Sequence, residues 1–342
     1  MTKITEYLEI LLEGGNLKYE QAKDLLDTIF KGDVAEVQIA AFLAAMRMKK
    51  AVPAEFAGFA QSLRDHAVKV EVKIDNLSII DTCGTGGARL KTFNVSTIAA
   101  FVAAGAGAYV AKHGNRAITS ISGSADVLEA LGVKIDCPPD IVVECIEKAR
   151  IGFMFAPMYH PAMKFVQPIR KSLDFRTVFN ILGPLANPAG VTSQFMGVAE
   201  ESLLDGIADT LKLLGTKRAM VVHGSGLDEI STTAVTKVIE LKNKKKISYE
   251  IRPSDFGLSS PKMAELAGSN AEYNANLAKD ILYGRKKGPA RDIVLLNAAA
   301  AIMVADLADN LHQGLKKADE AIDSRAAAEC LEKMIEISNR KN

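Results

Sequence analysis

The stretch Asp81-Thr-Cys-Gly-Thr-Gly-Gly-Ala-Arg-Leu-Lys-Thr-Phe-Asn-Val-Ser-Thr97 sets three glycines beside a row of short donors and acceptors. Before it, Leu77-Ser-Ile-Ile80 is an apolar run of strand length. After it, Ile98-Ala-Ala-Phe-Val-Ala-Ala104 has the composition of a buried helix. A chain that leaves a strand at Gly84, Gly86 and Gly87 and re-enters a helix keeps little bulk in its loop. Its backbone N–H groups can then turn toward an anion, and the helix start adds its positive dipole end. Thr92, Asn94, Ser96 and Thr97 line the same edge, so phosphate or pyrophosphate is the natural guest. The loop is not a Walker A loop, because no Lys directly follows the last Gly, and it is not a Gly-x-Gly-x-x-Gly fingerprint. The same glycines would also suit a tight turn that only relieves sterics, so the residues downstream must decide their meaning.

Two further polar segments lie downstream, Tyr109-Val-Ala-Lys-His-Gly-Asn-Arg116 and Ile121-Ser-Gly-Ser-Ala-Asp126. Tyr109-Val-Ala111 reads as the tail of a second strand and Lys112 to Arg116 as the loop at its carboxyl end. Ser122 or Ser124 is placed to cap a helix starting near Ala125. Ligands of open α/β sheets sit outside the carboxyl ends of strands, so a glycine bend and a loop with Lys112, His113, Asn115 and Arg116 would face one crevice. Asp228-Glu229 follows the strand-like Ala219-Met-Val-Val222 and the turn His223-Gly-Ser-Gly226. Neighbouring carboxylates there suit Mg²⁺, which favours one or two carboxylates plus phosphate oxygens and water, or else form a surface acidic pair. Arg170, in Val166-Gln-Pro-Ile-Arg-Lys171, is either a surface residue at a helix start or a fork for a carboxylate.

In order along nearly the whole chain, these motifs resemble the signature of the anthranilate phosphoribosyltransferases, which carry out the second step of tryptophan synthesis. The likeness rests on Gly84-Thr-Gly-Gly87, Thr92-Phe-Asn-Val-Ser-Thr97, Lys112-His-Gly-Asn-Arg116 and Ser122-Gly-Ser-Ala-Asp126. It continues through Arg170, Arg176-Thr-Val-Phe-Asn-Ile-Leu-Gly-Pro-Leu-Ala-Asn-Pro188, His223-Gly224 and Gly226-Leu-Asp-Glu-Ile-Ser231. The resemblance implies a binding site for 5-phosphoribosyl 1-pyrophosphate made by Gly84, Thr85, Gly86, Gly87, Ala88, Thr92, Asn94, Val95, Ser96 and Thr97. Lys112, His113, Gly114, Asn115, Arg116, Ser120 and Ser124 complete that site. It assigns anthranilate to Gly84, Asn115 and Arg170, with His113, Tyr159, His160 and Pro184 along its approach, and Mg²⁺ to Ser96, Asp228 and Glu229. No side chain is expected to act as a covalent nucleophile.

Length and composition agree with an enzyme of this kind. At 342 residues the chain can hold two domains, and 42 basic against 41 acidic residues give a formal net charge of +1. Such a balance supplies no long-range field for nucleic acid or an anionic membrane, so anion binding must be local. Cys83, Cys137, Cys145 and Cys330 show neither zinc spacing nor a disulfide framework, and Cys83 reads as a buried filler. With no signal-peptide core and no long uncharged apolar run, the expected location is the cytoplasm.

The fold class expected is α/β, a small N-terminal helical domain and a larger α/β domain with a mostly parallel central sheet. Residues 1–72, joined by part of 165–190, would form the helical domain, and 73–342 the larger one. In the first part, Ile4, Leu8, Leu11 and Leu12 make one stripe, and Ala22, Leu25, Leu26 and Ile29 a second. Asp33 and Glu36 have capping-box spacing for a third helix, 34–50, rich in Ala and Met, and Pro53 starts a fourth running to His66. The resemblance implies that this region forms a homodimer interface. Strands are expected at 77–81, 107–111, 133–136, 151–155, 194–199, 218–223, 236–241 and 247–251, with helices at 139–149 and 201–214 and helix again from 274 to 338. Lys242-Asn-Lys-Lys-Lys246 reads as a solvated hairpin turn.

The chain departs from the family pattern at three places. Ala88 stands where an aspartate is common and is followed by Arg89 and Lys91, which suggests that one of these cations shares in neutralising pyrophosphate. Asp174 stands where Gly is usual, and Thr232-Thr-Ala-Val-Thr236 replaces Gly-Pro-Thr. Two alternatives stay open. A pyrimidine nucleoside phosphorylase is similar in architecture but lacks the Lys-His-Gly-Asn-Arg loop. A non-catalytic, nucleic-acid-binding relative would need a basic stripe that this sequence does not offer.

Overall fold

The computed structural model describes residues 2–74, 78–117 and 121–340. Four helices come first: α1 (Lys3–Leu12), α2 (Tyr19–Lys31), α3 (Glu36–Lys49) and α4 (Pro53–Asp65). Their apolar stripes meet each other, although Leu12 points out at 64% exposure. The third helix starts at Glu36, two residues later than expected. Ala35 is the cap residue, and Gln38, not Glu36, reaches back to the Ala35 N–H. Buried Glu55 ties this region together, accepting from the N–H groups of Leu17 and Val52 and pairing with Lys49 at 2.8 Å.

The rest alternates strands and helices: β1 (Ile79–Gly84), α5 (Val95–Gly105), β2 (Tyr109–Gly114), α6 (Ser124–Leu131), α7 (Pro139–Ala149) and β3 (Ile151–Phe155). Then come α8 (Ala156–Tyr159), α9 (Gln167–Leu173), α10 (Phe179–Leu182), β4 (Ser193–Gly197), α11 (Leu204–Leu213), β5 (Arg218–His223), β6 (Thr236–Lys242) and β7 (Lys245–Ile251). Four helices close the chain: α12 (Ala271–Leu282), α13 (Pro289–Val304), α14 (Leu311–Asp323) and α15 (Ala326–Ser338). The strands form one sheet in the order β3-β2-β1-β4-β5-β6-β7, parallel from β3 to β5 and antiparallel at β6 and β7. Asn243 and Lys244 both take left-handed backbone (φ 49° and 65°), the geometry of a two-residue hairpin turn whose twist matches its strands.

Several sequence expectations shift. Residues 133–136 form no strand, and only bridge α6 to α7. The second strand is not 107–111 but starts at Tyr109 and runs through Gly114, so Lys112 and His113 are sheet residues and not loop residues. Leu77, the expected start of the first strand, lies outside the described residues. Residues 201–203 form a separate 3₁₀ turn ahead of α11. No serine caps α6. Its cap is Gly123, and the Asp126 carboxylate accepts from the N–H groups of Gly123 (2.8 Å) and Ala117 (3.0 Å).

Two large cores clasp the sheet, and a smaller one gathers Ala111, Met154 and Tyr159 with Val142 and Ile146. On one face α5, α12, α13, α14 and α15 pack on apolar residues such as Ile80, Val110, Phe195 and Met220. On the other, α1–α4 and α11 share a core with Val166, Ile169, Val178, Phe179, Leu182 and Leu185, and with Met196, Ala219 and Val221 of the sheet. The segment 166–186 therefore packs with the helices while its neighbours belong to the strands. No helix among the described residues is long and apolar enough to cross a membrane.

Candidate active site

A cavity of about 760 Å³ opens at the carboxyl ends of β1 and β2, within the range of small-molecule sites. The order of strands dictates the place. The chain moves outward from β1 to β2 and β3, then returns to β4 on the other side of β1, and loops leaving such a reversal part to form a crevice.

One wall is the loop between β1 and α5. Gly86 and Gly87 take left-handed backbone (φ 66° and 77°), and a Cβ at Gly87 would fall 2.4 Å from Nη1 of Arg176. Ten residues separate β1 from α5, so the glycines do not abut the helix start as their proximity in sequence suggested. The residues at that start are Asn94, Val95 and Ser96. The loop leans on the acidic pair. The Gly86 N–H donates to Asp228 Oδ2 at 2.9 Å, and the Thr92 hydroxyl donates to Glu229 at 3.2 Å. Burial raises the pKa of both carboxyls, and Asp228 beside it raises Glu229 further. Two packed carboxylates with so few donors form a site short of positive charge.

The opposite wall comes from β2 and the segment 156–187. Arg170, on α9, lies over the Phe179 ring at 5.4 Å and donates to Gln167 Oε1 at 3.2 Å. No carboxylate among the described residues pairs with it, so the fork is open to a carboxylate from outside. Burial alone lowers its pKa. His113 and His160 pack with ring centroids 5.0 Å apart and planes tilted by 57°, and His113 Nδ1–H donates to the Gly183 carbonyl at 3.1 Å. The Nε2 atoms of both rings are buried without a hydrogen-bond partner. Burial pushes His113 down to about 3, with His160 adding to the effect, and His160 down to about 4.

These two rings make acid stability predictable. Each is neutral in the folded chain and protonates in the unfolded one, so their contribution is full above pH 6.5 and is lost as pH falls toward the folded values. Between pH 6 and pH 5 the two together should remove about 2 kcal/mol of stability. Urea unfolding of the wild type beside a His113→Gln, His160→Gln variant at both pH values measures it. Equal pH slopes for the two proteins would refute it.

Beneath the cavity, Lys112 Nζ donates to the Thr82 carbonyl at 2.6 Å, and Asn187 Nδ2 donates to Asp81 Oδ2 and the Ala111 carbonyl, both at 2.8 Å. Burial pushes Asp81 up to about 6 against the pull of Lys112, and burial lowers Lys112. Arg116 is closed on Asp126 (3.0 Å) and Glu129 (2.8 Å).

Family models match both parts of the chain: the glycosyl transferase family a/b domain over residues 76–328 and the helical bundle domain of that family over 5–67. An anthranilate phosphoribosyltransferase of Methanocorpusculum labreanum is 47% identical over 339 residues, covering 99% of each chain. The chain belongs to the anthranilate phosphoribosyltransferase family. A crystal structure of that enzyme from Thermus thermophilus superposes with a TM-score of 0.92 at 39% identity, over 97% of this chain and 99% of the other. The Saccharomyces cerevisiae enzyme in complex with PRPP and Mg gives 0.88 at 30% identity, over 98% and 97%. The anthranilate phosphoribosyltransferases are pentosyl-transferring glycosyltransferases.

Against that family pattern, the cavity gathers Gly84 to Ala88, Thr92, Asn94, Ser96, Thr97, Lys112 to Arg116, Ser124, Arg170, Asp228 and Glu229 in one place. Val95 is buried in the first turn of α5, and Ser120 lies outside the described residues. Tyr159 does not line the approach. It is fully buried, and its hydroxyl donates to the Cys137 carbonyl at 2.8 Å. Cys83 is half-buried on the cavity wall, not buried filler, and accepts from Gln194 Nε2. Asn94 holds the site together, donating to the Ser122 carbonyl and accepting from Asn274. Asp174 takes left-handed backbone (φ 47°) at the end of α9, the geometry that makes Gly the usual occupant.

Sequence reasoning missed Asp81, Asn187 and Gly197. A Cβ at Gly197 would fall 1.6 Å from the Asp228 carbonyl oxygen. Only the glycine type inside the expected strand 194–199 hinted at it. Among the described residues no three His, Cys, Asp or Glu side chains converge on a metal position. Half-buried Asp228 and buried Glu229 nonetheless fit Mg²⁺, which needs few protein ligands when phosphate oxygens and water supply the rest.

Proposed function

We propose that this cavity transfers the phosphoribosyl group of 5-phosphoribosyl 1-pyrophosphate to the amine of anthranilate, giving N-(5-phosphoribosyl)anthranilate and pyrophosphate. The observation that carries the reading is Arg170, a cationic fork without an acidic partner among the described residues, in the same cavity as the glycine loop. The diphosphate lies along residues 84–97, and the anthranilate carboxylate meets Arg170 beside Gly84 and Asn115. The amine lone pair attacks C1 of the ribose, the C1–O bond to pyrophosphate breaks, and pyrophosphate leaves with the electron pair while C1 inverts. The proton released from nitrogen passes to solvent, since an aryl amine needs no strong base. When bound by Asp228, Glu229 and Ser96, Mg²⁺ supplies charge neutralisation at the pyrophosphate. The chain's own part is donors aimed at developing charge and the alignment of two substrates, an effect worth up to roughly 7–11 kcal/mol.

The departure at residue 88 fits this reading. Ala88 is buried while Arg89 and Lys91 are exposed, and the Lys91 charge works to lower the Asp228 pKa, so Lys91 is the cation placed to share in the neutralisation. Residues 1–72, with part of 165–190, form the unit that pairs two copies. Exposed Leu12, Val37 and Met48 on α1 and α3 support a homodimer contact there. Free cysteines agree with cytoplasmic residence.

The test is direct. Protein, Mg²⁺, 5-phosphoribosyl 1-pyrophosphate and anthranilate should lose anthranilate fluorescence in step with pyrophosphate release. Arg170→Gln should raise the anthranilate KM at least about tenfold with little change for the sugar donor. Unchanged fluorescence, with thymine formed from thymidine and phosphate instead, would replace this reading by a phosphorylase.

A further inference from the structure

We infer that Arg176 is the fork that holds the diphosphate end of the sugar donor, so that one short segment, from α9 to α10, reads both substrates. This rests on the proposed phosphoribosyl transfer and adds a residue to it.

Availability singles this residue out. Of the cations on the cavity wall, Lys112 is buried with its ammonium on the Thr82 carbonyl, and Arg116 is closed on Asp126 and Glu129. Arg170 lies over Phe179, Lys164 stands over Phe165 at 5.0 Å, and Lys91, exposed on the glycine loop, offers a point charge and not a fork. Arg176 is different. Its guanidinium sits directly over the glycine bend, so close that a Cβ at Gly87 would come 2.4 Å from Nη1 and 2.7 Å from Cζ. Its one hydrogen bond there, from Nη2 to the Gly86 carbonyl, is long at 3.4 Å. No carboxylate among the described residues lies within ion-pair distance, although its charge is among those that work to lower the Asp228 pKa. A half-buried guanidinium with several open donors thus faces the loop whose backbone N–H groups are the other donors for an anion.

The chain route explains how the two arginines divide the work. Asp174, left-handed at the end of α9, reverses the backbone between Arg170 and Arg176. Arg170 is left on the helix among Gln167 and Phe179, while Arg176 is carried across to the glycines. A planar fork suits adjacent phosphoryl oxygens in a way that a lysine ammonium does not.

Calorimetric titration in Mg²⁺ tests this with pyrophosphate, 5-phosphoribosyl 1-pyrophosphate and ribose 5-phosphate as separate probes. Arg176→Gln should weaken the first two by about tenfold to a hundredfold and leave ribose 5-phosphate within about twofold, because that ligand lacks the diphosphate. Arg176→Lys, which keeps the charge and loses the fork, should fall between the two and guards against a Gln variant that fails to fold. Weakening of all three ligands alike, or of none, would reduce Arg176 to a prop for the bend and overturn the assignment. Wild-type protein that takes up neither pyrophosphate nor the sugar donor would instead overturn the functional reading itself.

Discussion

Gly197→Ala should lower kcat/KM by about a thousandfold or more, although Gly197 contributes no side chain to the cavity. The new methyl carbon would sit 1.6 Å from the Asp228 carbonyl oxygen and 2.2 Å from its carbonyl carbon. Both are backbone atoms, so no rotamer relieves the clash. Strand β4 is clamped by β1 on one side and β5 on the other, and the segment carrying Asp228 must therefore move by more than an ångström. That displacement pulls the carboxylate off the Gly86 N–H and drags the acidic pair from the loop. A misplacement of about 1 Å is enough to cost a factor of about a hundred, and here the loop and the acids are displaced together. Steady-state kinetics with circular dichroism checks it. A folded variant within about tenfold of the wild type would show that Asp228 does not need its place.

The double change Asp228→Asn, Glu229→Gln should move stability and activity in opposite directions. Burial raises both carboxyl pKa values above those of the unfolded chain. An acid of that kind favours folding while protonated, at low pH, and that contribution is lost as pH rises through the folded value. At pH 7.5 burial makes ionisation of this pair costly to the free enzyme, and the isosteric amides should stabilise it by about 1–2 kcal/mol. At pH 4 the gain should shrink toward zero. Asn at 228 still offers an oxygen to the Gly86 N–H, so the loop keeps its support, yet binding of the sugar donor with Mg²⁺ should weaken at least about a hundredfold. Urea unfolding at the two pH values, with calorimetry, decides it. Amides that destabilise at both pH values would contradict the account.

Much of this was legible from residue types. Alternation of apolar strand-length runs with Ala-rich segments gave the parallel sheet, and Gly84 to Gly87 with Asp228-Glu229 marked two loops that do meet. The stripes of α1 and α2 were plain because each is amphipathic. Residues 133–136 misled because an alternating apolar and charged linker has the same pattern as a strand, and pairing is not a local property. Lys112 misled because a lysine reads as exposed. Only the tertiary fold supplies the Thr82 carbonyl and the Asp81 carboxylate that let it be buried. Gly197 and Asn187 were silent because their work is done across long sequence separations, at a close backbone approach and a bridge between strands.

The antiparallel pair that finishes the sheet has a use of its own. Because β6 runs against β5, with His223 opposite Lys237 and Arg218 opposite Lys242, its tip at Asn243 and Lys244 lies at the far end from the crevice. A peptide tag or fluorophore inserted at that tip is thus separated from the reacting groups by the full length of the strands. It offers a handle for tethering or labelling the enzyme that leaves turnover intact.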